Sequence, residues 1–185
     1  MAITSEDLVV LLDPDLTPCG TAPRSTVHTT STPLHLAFSC YVLDEDRGVL
    51  LTRRALAKRT WPGVWTNACC GHPRPGEAMA EAVERRLADE LGTRARSIEL
   101  VLPDFRYEAV DASGVRENEY CPVFVATVTG GLDPDPDEVM DLRWADPAAV
   151  ADVAVRAPWL LSPWSAAQIP QLDLADAGRG TALPA

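Results

Sequence analysis

The chain has 185 residues, of which 46% are hydrophobic and 23% charged, and its formal net charge at pH 7 is -11. This length fits one domain with a single core, and the apolar content excludes an intrinsically disordered chain. The negative charge argues against a general nucleic-acid binder, because phosphate contacts are made mainly by Lys and Arg. A local basic cluster could still bind a small phosphate compound.

The five cysteines are an odd number without regular spacing, and no apolar signal-like N-terminus is present. We therefore predict free thiols in a cytoplasmic protein. The longest uninterrupted apolar runs, such as residues 8–12, are far shorter than the roughly 20 residues of a membrane-spanning helix. No transmembrane segment is expected.

The first predicted elements are a strand at 8–12, an ordered loop over 14–33 and a β-hairpin. Pro and Thr are frequent in the loop, which has little helical or strand periodicity. From residue 34 the apolar side chains alternate, so His35 should face away from the apolar side of its strand. A turn at 44–48 then leads into the second strand of the hairpin.

A helix is predicted from about residue 77 to residue 91, and Gly92 should end it. Its core face is expected to include Ala80. On the exposed face, Glu81 and Arg85 are spaced for an i,i+4 ion pair.

The rest of the chain reads as strands followed by helical patterns that begin after Pro147 and Ser162. Together the elements indicate an α/β or α+β sandwich, a mixed β-sheet core flanked by helices. Residues 172–185, rich in Ala, Asp, Gly and Pro, read as a frayed, flexible tail. The remaining strands are predicted at 97–102, 105–110, 120–128 and 139–144.

Three histidines and two glutamates are candidate metal ligands. A lone His is more often structural than a ligand, but Glu117 and Glu119 lie two residues apart on a strand and so share one sheet face. In a partly buried site, a cation or a shared proton would offset their repulsion, whereas an exposed pair is simply a solvated edge. Imidazole and carboxylate together suit a divalent ion such as Zn, Mn or Fe. The histidines are His28, His35 and His72.

The segment Cys69-Cys70-Gly71-His72 is neither a CxxC pair nor a zinc-finger spacing. Its thiols could be small buried hydrophobes. Alternatively, Gly71 lets the backbone approach a ligand closely, Cys70 presents a thiol for proton transfer or nucleophilic attack, and His72 turns back to the metal. Both interpretations remain open at this point.

Two basic clusters flank this segment. Charge runs are usually solvated faces, but in so acidic a chain these clusters could hold a diphosphate. One of the five tryptophans could face a cation. The first cluster is Arg53, Arg54, Lys58 and Arg59, and the second is Arg85 and Arg86. A separate acidic run is interpreted as a solvated turn and consists of Asp133, Asp135, Asp137 and Glu138.

Several motifs occur together in one order over residues 24–164, and with them the chain resembles type I isopentenyl-diphosphate isomerases. The resemblance implies a Nudix-like fold and a place in the Nudix-like superfamily. The motifs are WPGVW at 61–65, WTNACCGHP at 65–73, DFRY at 104–107, RENEYCP at 116–122 and SPW at 162–164.

The sequence Gly71-x5-Glu77-x7-Arg85 follows the opening of a Nudix box. The remainder departs from it, because Arg86 stands where the box has Glu and Asp-Glu at 89–90 replaces its Glu-Glu. Loss of acidic ligands weakens the case for Nudix diphosphate hydrolysis, whose metals sit on those carboxylates. The altered Nudix box fits the isomerase branch of the superfamily better.

By motif, the resemblance implies that Cys70 and Glu119 are the catalytic pair. Tyr107 would support Glu119, and Trp164 would face the cation formed during the reaction. Cys69 is a local departure, because it places a second thiol beside the catalytic one. The residues implied to bind one Mn²⁺ or Zn²⁺ ion are His28, His35, His72, Glu117 and Glu119.

The resemblance also implies how the substrate binds. Glu90 would hold a Mg²⁺ ion that reaches the substrate diphosphate. The diphosphate itself would contact Arg24, Arg54, Lys58 and Arg86. Residues 1–171 would form a single catalytic domain whose N-terminal extension carries metal ligands.

The implied reaction is a reversible proton shift between isopentenyl and dimethylallyl diphosphate, through a tertiary carbocation, in isoprenoid biosynthesis. Whether Cys70 or Glu119 protonates the alkene stays open. The expected partner is a small diphosphate substrate, with no nucleic acid and no membrane, and the expected state is a monomer. The alternatives are a Nudix hydrolase and a non-catalytic domain with a structural metal.

Overall fold

The computed structural model describes residues 8–174. The α-helices in this range are α1 (Arg24–Val27), α2 (Met79–Leu91), α3 (Pro147–Arg156) and α4 (Pro163–Gln168). Short 3-10 helices lie at Pro158–Leu160 and Ile169–Gln171. The strands are β1 (Leu8–Leu12), β2 (Pro18–Pro23), β3 (His35–Leu36), β4 (Phe38–Asp44), β5 (Gly48–Arg54), β6 (Trp65–Thr66), β7 (Cys69–Gly71), β8 (Arg94–Leu102), β9 (Arg106–Val110), β10 (Arg116–Tyr120), β11 (Val123–Thr129) and β12 (Val139–Ala145).

The strands form two mixed sheets. The first sheet has the order β2-β1-β3-β10-β9, and the second has the order β12-β5-β4-β11-β8, with β6 added to β5 and β7 to β4. The pairs β3/β10 and β4/β11 are parallel, and the other pairs are antiparallel. The predicted β4–β5 hairpin is confirmed.

Helices cover both faces of the second sheet. Phe38 of β4 belongs to one apolar cluster with Leu87 of α2, while Tyr41, three residues along, belongs to another with Val150 of α3 and Ile169. Alternate side chains of a strand point to opposite faces, so a strand covered on both faces is apolar throughout. The prediction of a mixed sheet flanked by helices, an α+β fold, is confirmed.

The prediction of a loop over residues 14–33 is wrong, because this passage contains β2 and α1. The turn that starts it is closed by Asp13, whose carboxylate accepts hydrogen bonds from the backbone of Asp15 and Thr17 (3.0 and 2.9 Å). The chain then pairs back along β1. Pairing with a neighbouring strand overrides the weak β-propensity of these residues.

The prediction of one strand over 120–128 is also wrong, because two strands meet there. Pro122 separates them, and proline cannot donate a hydrogen bond to a sheet ladder. The chain leaves the first sheet after β10 and enters the second sheet at β11. This crossing brings the end of β10 next to both sheets.

Helix α2 follows the prediction at its C-terminus and departs from it on its surface. Gly92 ends the helix with a φ of 60°, which favours glycine. Ala80 is exposed instead of lying in the core. Glu81 accepts from the backbone at the helix N-terminus, and Arg85 pairs with Glu77 instead (Nε to Oε1, 2.7 Å).

Leu174, in the predicted tail, packs in the core, while residues 175–185 lie outside the described part of the chain. All five cysteines are free, as predicted. Among the described helices, none combines the length and the apolarity that crossing a bilayer requires.

Candidate active site

A cavity of ≈ 890 Å³ is lined by residues from both sheets and from α2 and α4. His35 and Glu90 lie buried behind its lining. The sequence-predicted site residues that line it are Arg24, His28, Arg54, Lys58, Cys70, His72, Arg86, Tyr107, Glu117, Glu119 and Trp164.

Three neighbouring strands of the first sheet align His35, Glu119 and Tyr107. Glu119 is the register partner of His35 in the parallel β3/β10 pair and of Tyr107 in the antiparallel β9/β10 pair. Directly opposed residues project from the same sheet face. Glu117 and Glu119 alternate with less buried residues, so the prediction that they share a face is confirmed.

The ligand atoms of His28, His35, His72 and Glu119 all lie within 4.8 Å of one another. The Nε2 atoms of His35 and His72 are 3.2 Å apart and lie 3.4 and 3.3 Å from Glu119 Oε1. Ligand bonds of about 2.0–2.2 Å put donor atoms about 3–4 Å apart around one ion. The spacing therefore allows these atoms to bind one metal ion.

Glu117 extends this group through His28. Their Oε2 and Nε2 atoms are 3.0 Å apart, yet neither buried atom has a hydrogen-bond partner among the described residues. Two buried polar atoms that lie this close without hydrogen-bond geometry are compatible with a shared cation. We call His28, His35, His72, Glu117 and Glu119 the His/Glu cluster, and its imidazole and carboxylate donors fit Mn²⁺ or Zn²⁺.

Hydrogen bonds orient the cluster. His35 Nδ1 donates to the carbonyl of Pro33 (2.9 Å), which turns Nε2 toward the other ligands, as in many metal-bound histidines.

The surroundings of the cluster also set its protonation states. Burial lowers the pKa of His72 to about 4. Burial raises the pKa of Glu119, but the contacts with His35 and His72 outweigh it and hold that pKa well below its usual range. Glu119 is therefore a carboxylate at neutral pH.

Cys70 lies on β7, opposite Ser39 of β4. Its Sγ is 3.2 Å from Asn67 Nδ2 and 3.5 Å from Ser39 Oγ. Burial raises the pKa of Cys70 to about 12, although both hydrogen bonds oppose the shift, so the thiol is protonated at neutral pH. Cys69 packs in the apolar cluster against α2, which distinguishes the two thiols.

Asn67 is a site residue that the sequence reasoning missed. It is fully buried, and its Nδ2 donates to the carbonyls of Cys40 and Cys69 (3.0 and 2.6 Å). Its Oδ1 accepts from the indole of Trp164 (2.9 Å). One side chain thus holds both Cys70 and Trp164. Its place within the 65–73 motif was the available signal, but the motif alone gives no role. We call Cys70, Asn67 and Ser39 the Cys70 network.

Aromatic rings close one side of the cavity. The ring centroids of Tyr107 and Trp164 are 5.8 Å apart, and Trp61 stands perpendicular to Trp164 at 5.5 Å. The guanidinium of Arg54 lies 5.4 Å from the centroid of the Trp164 ring. The Trp164 indole therefore lines the cavity with a cation, the Arg54 guanidinium, already near its ring.

Most residues of the two basic clusters line the cavity, and Arg24 joins them. The lining residues of this kind are Arg24, Arg54, Lys58, Arg59, Arg85 and Arg86. Arg85 is also held by Glu77, whereas Arg53 is not a lining residue and donates to the carbonyl of Gly63 (2.9 Å).

Arg86 is buried beside Gly71. A Cβ on Gly71 would lie 2.8 Å from Arg86 Cγ. Arg86 therefore packs where a side chain at this position would lie, while Gly71 itself lines the cavity. That its backbone approaches a ligand closely stays a prediction. Arg86 Nε donates to Glu90 Oε1 (2.9 Å).

The prediction of a solvated turn is wrong for Glu138, the last residue of the acidic run. Its carboxylate lines the cavity and pairs with both Lys58 and Arg86. Nothing in the spacing distinguishes it from the three aspartates before it, which are exposed.

Solved structures support the fold. A protein from Deinococcus radiodurans matches with a TM-score of 0.66 at 14% identity, covering 89% of this chain and 98% of that one. A MutT protein from Methanosarcina mazei matches with a TM-score of 0.62 at 17% identity, covering 80% and 97%. At these identities the likeness concerns the fold alone.

Sequence relatives identify the family. Proteins named isopentenyl-diphosphate Delta-isomerase are 58% identical in Frankia alni, over 91% of this chain and 87% of theirs, and 54% identical in Paenarthrobacter aurescens, over 95% of each. The NUDIX domain family matches residues 33–171. The chain therefore belongs to the isopentenyl-diphosphate Delta-isomerase family and is an enzyme built on a NUDIX domain.

Proposed function

We propose that this enzyme interconverts isopentenyl diphosphate and dimethylallyl diphosphate by a metal-dependent proton shift. The observation that carries the proposal is the placement of Cys70 and Glu119 on one cavity that is also lined by a cluster of basic residues. Relatives that bear the isomerase name at 54–58% identity support the same substrate.

The reaction adds a proton to the terminal alkene carbon, which leaves a tertiary cation, and removes one from the adjacent methylene. It requires one group that carries a proton and one that can accept it. Cys70, whose pKa burial raises to about 12, holds a proton at neutral pH, and Glu119 is a carboxylate. In the reverse direction the two groups exchange roles.

The other predicted residues bind and protect the substrate. Trp164 and Tyr107 surround the reacting carbons with aromatic surface, which excludes water and stabilises a carbocation. Tyr107, directly opposite Glu119 across β9 and β10, supports that carboxylate. The diphosphate contacts Arg24, Arg54, Lys58 and Arg86 at the basic end of the cavity.

Two kinds of metal ion are part of the proposal, with Mn²⁺ or Zn²⁺ in the His/Glu cluster and Mg²⁺ held by Glu90. When bound, the first would fix Glu119 in its carboxylate form, and the second would neutralise charge on the diphosphate. The 3.0 Å approach of His28 Nε2 to Glu117 Oε2 without a hydrogen bond supports the first site.

We further propose a single catalytic domain over residues 1–171 that acts as a monomer in the cytoplasm. Five free cysteines are typical of a reducing compartment. Light scattering on the purified protein tests the monomeric state.

Incubation of isopentenyl diphosphate with the enzyme in heavy water tests the reaction. The proposal expects dimethylallyl diphosphate to form and solvent deuterium to enter both isomers, because only allylic proton transfer exchanges those hydrogens. Release of phosphate without isomer would indicate a Nudix hydrolase instead. Unchanged product formation by both Cys70→Ala and Glu119→Gln would exclude the proposed proton-transfer pair.

A further inference from the structure

In the proposed reaction, Cys70 becomes negatively charged when it gives up its proton. The S–H bond breaks, the π electrons of the alkene form the new C–H bond, and the electron pair of the S–H bond stays on sulfur. A charge that develops in this way is stabilised best by hydrogen-bond donors that are already in place. The two side chains that can donate to Cys70 Sγ are the amide of Asn67 and the hydroxyl of Ser39.

Asn67 has little hydrogen-bonding capacity left for Cys70. Its side-chain amide carries two N–H bonds, and Nδ2 lies 2.6 Å from the carbonyl oxygen of Cys69 and 3.0 Å from that of Cys40. The sulfur of Cys70, at 3.2 Å, is a third acceptor for two hydrogens, and sulfur accepts more weakly than a carbonyl oxygen. Among the residues that the structure describes, the hydroxyl of Ser39 therefore remains as the donor for this sulfur.

Gln168 holds Ser39 in the role of a donor. Gln168 Nε2 donates to Ser39 Oγ (2.9 Å), and Gln168 Oε1 accepts from the hydroxyl of Tyr41 (3.0 Å). All three side chains are fully buried, and a buried network whose members are hydrogen-bonded is rigid. Because Ser39 Oγ accepts from Gln168, its own hydrogen is left for a sulfur neighbour.

Ser39 has two sulfur neighbours. Its Oγ lies 3.5 Å from Cys70 Sγ and 3.4 Å from Cys121 Sγ, and these distances favour neither while both thiols are neutral. Once Cys70 has given up its proton, its sulfur is the stronger acceptor, because a charged partner makes a hydrogen bond about twice as strong. The hydroxyl hydrogen therefore turns to Cys70 when the charge forms there.

Helix α4 connects this network with the aromatic side of the cavity. Trp164 and Gln168 lie four residues apart on α4, which places them on one face of the helix. Trp164 lines the cavity, and Gln168 reaches Ser39. The position of α4 therefore sets both the indole beside the reacting carbons and the hydroxyl beside the sulfur.

We propose that Ser39, held by Gln168, is a positioning residue that presents its hydroxyl to Cys70 and stabilises the negative sulfur that forms when Cys70 gives up its proton. The inference rests on the proposed function, because it requires Cys70 to exchange a proton with the substrate. Ser39 is fully buried and is not a lining residue of the cavity. It therefore acts on the reaction through Cys70 and not by contact with the substrate.

Steady-state kinetics with isopentenyl diphosphate test the inference in two variants. Ser39→Ala removes the donor and should lower kcat by about tenfold to hundredfold, the range for loss of a hydrogen bond to a charged group. Gln168→Met keeps a side chain of similar length without the amide, and should lower kcat by about twofold to tenfold. KM should stay within about twofold of wild type in both, because neither residue contacts the substrate.

The double variant separates an effect through Ser39 from general damage to the core. If Gln168 acts through Ser39, then Ser39→Ala combined with Gln168→Met should be no slower than Ser39→Ala alone, whereas independent losses would multiply. Gln171→Met is the matched control, because this exposed glutamine donates to the carbonyl of Ala167 (2.9 Å) and should behave as wild type. Circular dichroism and elemental analysis confirm that each variant is folded and carries as much metal as wild type.

Unchanged kcat in folded Ser39→Ala would overturn the inference, as would a loss that appears in KM instead of kcat, or losses that multiply in the double variant. Should Ser39→Ala fail to fold, equal kcat in Gln168→Met and Gln171→Met would overturn it. All of these outcomes are read against an active wild type, so they are distinct from failure of the proposed function. That failure would appear as absence of isomer formation by the wild-type enzyme.

Discussion

The cavity holds two proton-transfer candidates in opposite ways. Glu119 belongs to the His/Glu cluster, in which the contacts with His35 and His72 keep its carboxylate ionised. Cys70 belongs to the Cys70 network, in which buried neutral groups keep its thiol protonated. A protein can therefore hold two ionisable groups in one cavity in different protonation states. Contacts with histidines keep Glu119 ionised, and burial among neutral groups keeps Cys70 protonated.

The largest expected effect on activity concerns the Cys70 network. Cys70→Ala should lower kcat for isomerisation by about 10³-fold, within the range for loss of a general acid or base. Cys69→Ala is the matched control, because that thiol packs against α2; it should keep its activity and lose about 1 kcal/mol of stability. Steady-state kinetics and urea unfolding measure both. Similar activity losses in the two variants would contradict the assignment of Cys70.

The function of the His/Glu cluster should depend on a bound metal ion. His35→Ala removes a fully buried ligand and should weaken metal binding by at least about 10²-fold, with a parallel loss of activity. Competition with a chelator, followed by elemental analysis of the protein, gives the affinity. Cys70→Ala should bind metal like wild type, because the Cys70 network contributes no ligand. Undiminished metal affinity in His35→Ala would remove His35 from the site.

Asn67→Ala tests whether the Cys70 network depends on the hydrogen bonds of Asn67. It leaves the carbonyls of Cys40 and Cys69 and the indole of Trp164 without their partner, so we expect a loss of about 2–4 kcal/mol in the free energy of unfolding. The activity should fall with it, because Cys70 and Trp164 lose their common support. Asn118→Ala, at the other asparagine of the chain, should lose less than half as much stability. Denaturant titration compares the two.

The smallest effect concerns Glu77, outside both groups. Arg85 holds the pKa of Glu77 below its ordinary value of 4.5, so the ionised form stabilises the fold. Glu77→Gln should therefore cost about 1–2 kcal/mol near pH 7. This difference from wild type should shrink as the pH falls below about 4.5, where Glu77 becomes protonated. Urea unfolding at pH 7 and pH 4 measures it, and a difference independent of pH would contradict the role of its charge.

Sequence reasoning found the residues whose chemical type is distinctive. Three histidines, two alternating glutamates and a thiol within a motif led to the cavity, because few side chains can perform that chemistry. The sheet that His35 and Glu119 share depends on a pairing between residues distant in the chain. Local patterns cannot show such a pairing, and for the same reason they predict a loop where β2 lies.

The residues that were missed act through their surroundings. Asn67 becomes important only because Cys70 and Trp164 lie on either side of it. Glu138 looks like its acidic neighbours until the fold places it beside Lys58 and Arg86. The apolar run that includes Pro122 predicts one strand, because the hydrophobic pattern continues where the chain passes from the first sheet to the second.

The segment that precedes the NUDIX match has a consequence for what that domain can do by itself. The NUDIX match begins at residue 33, yet Arg24 and His28 precede it and line the cavity. The part that matches the NUDIX family therefore does not supply the whole cavity lining. A chain that begins at residue 33 is the corresponding experiment, and we expect it to bind metal more weakly than the 185-residue chain.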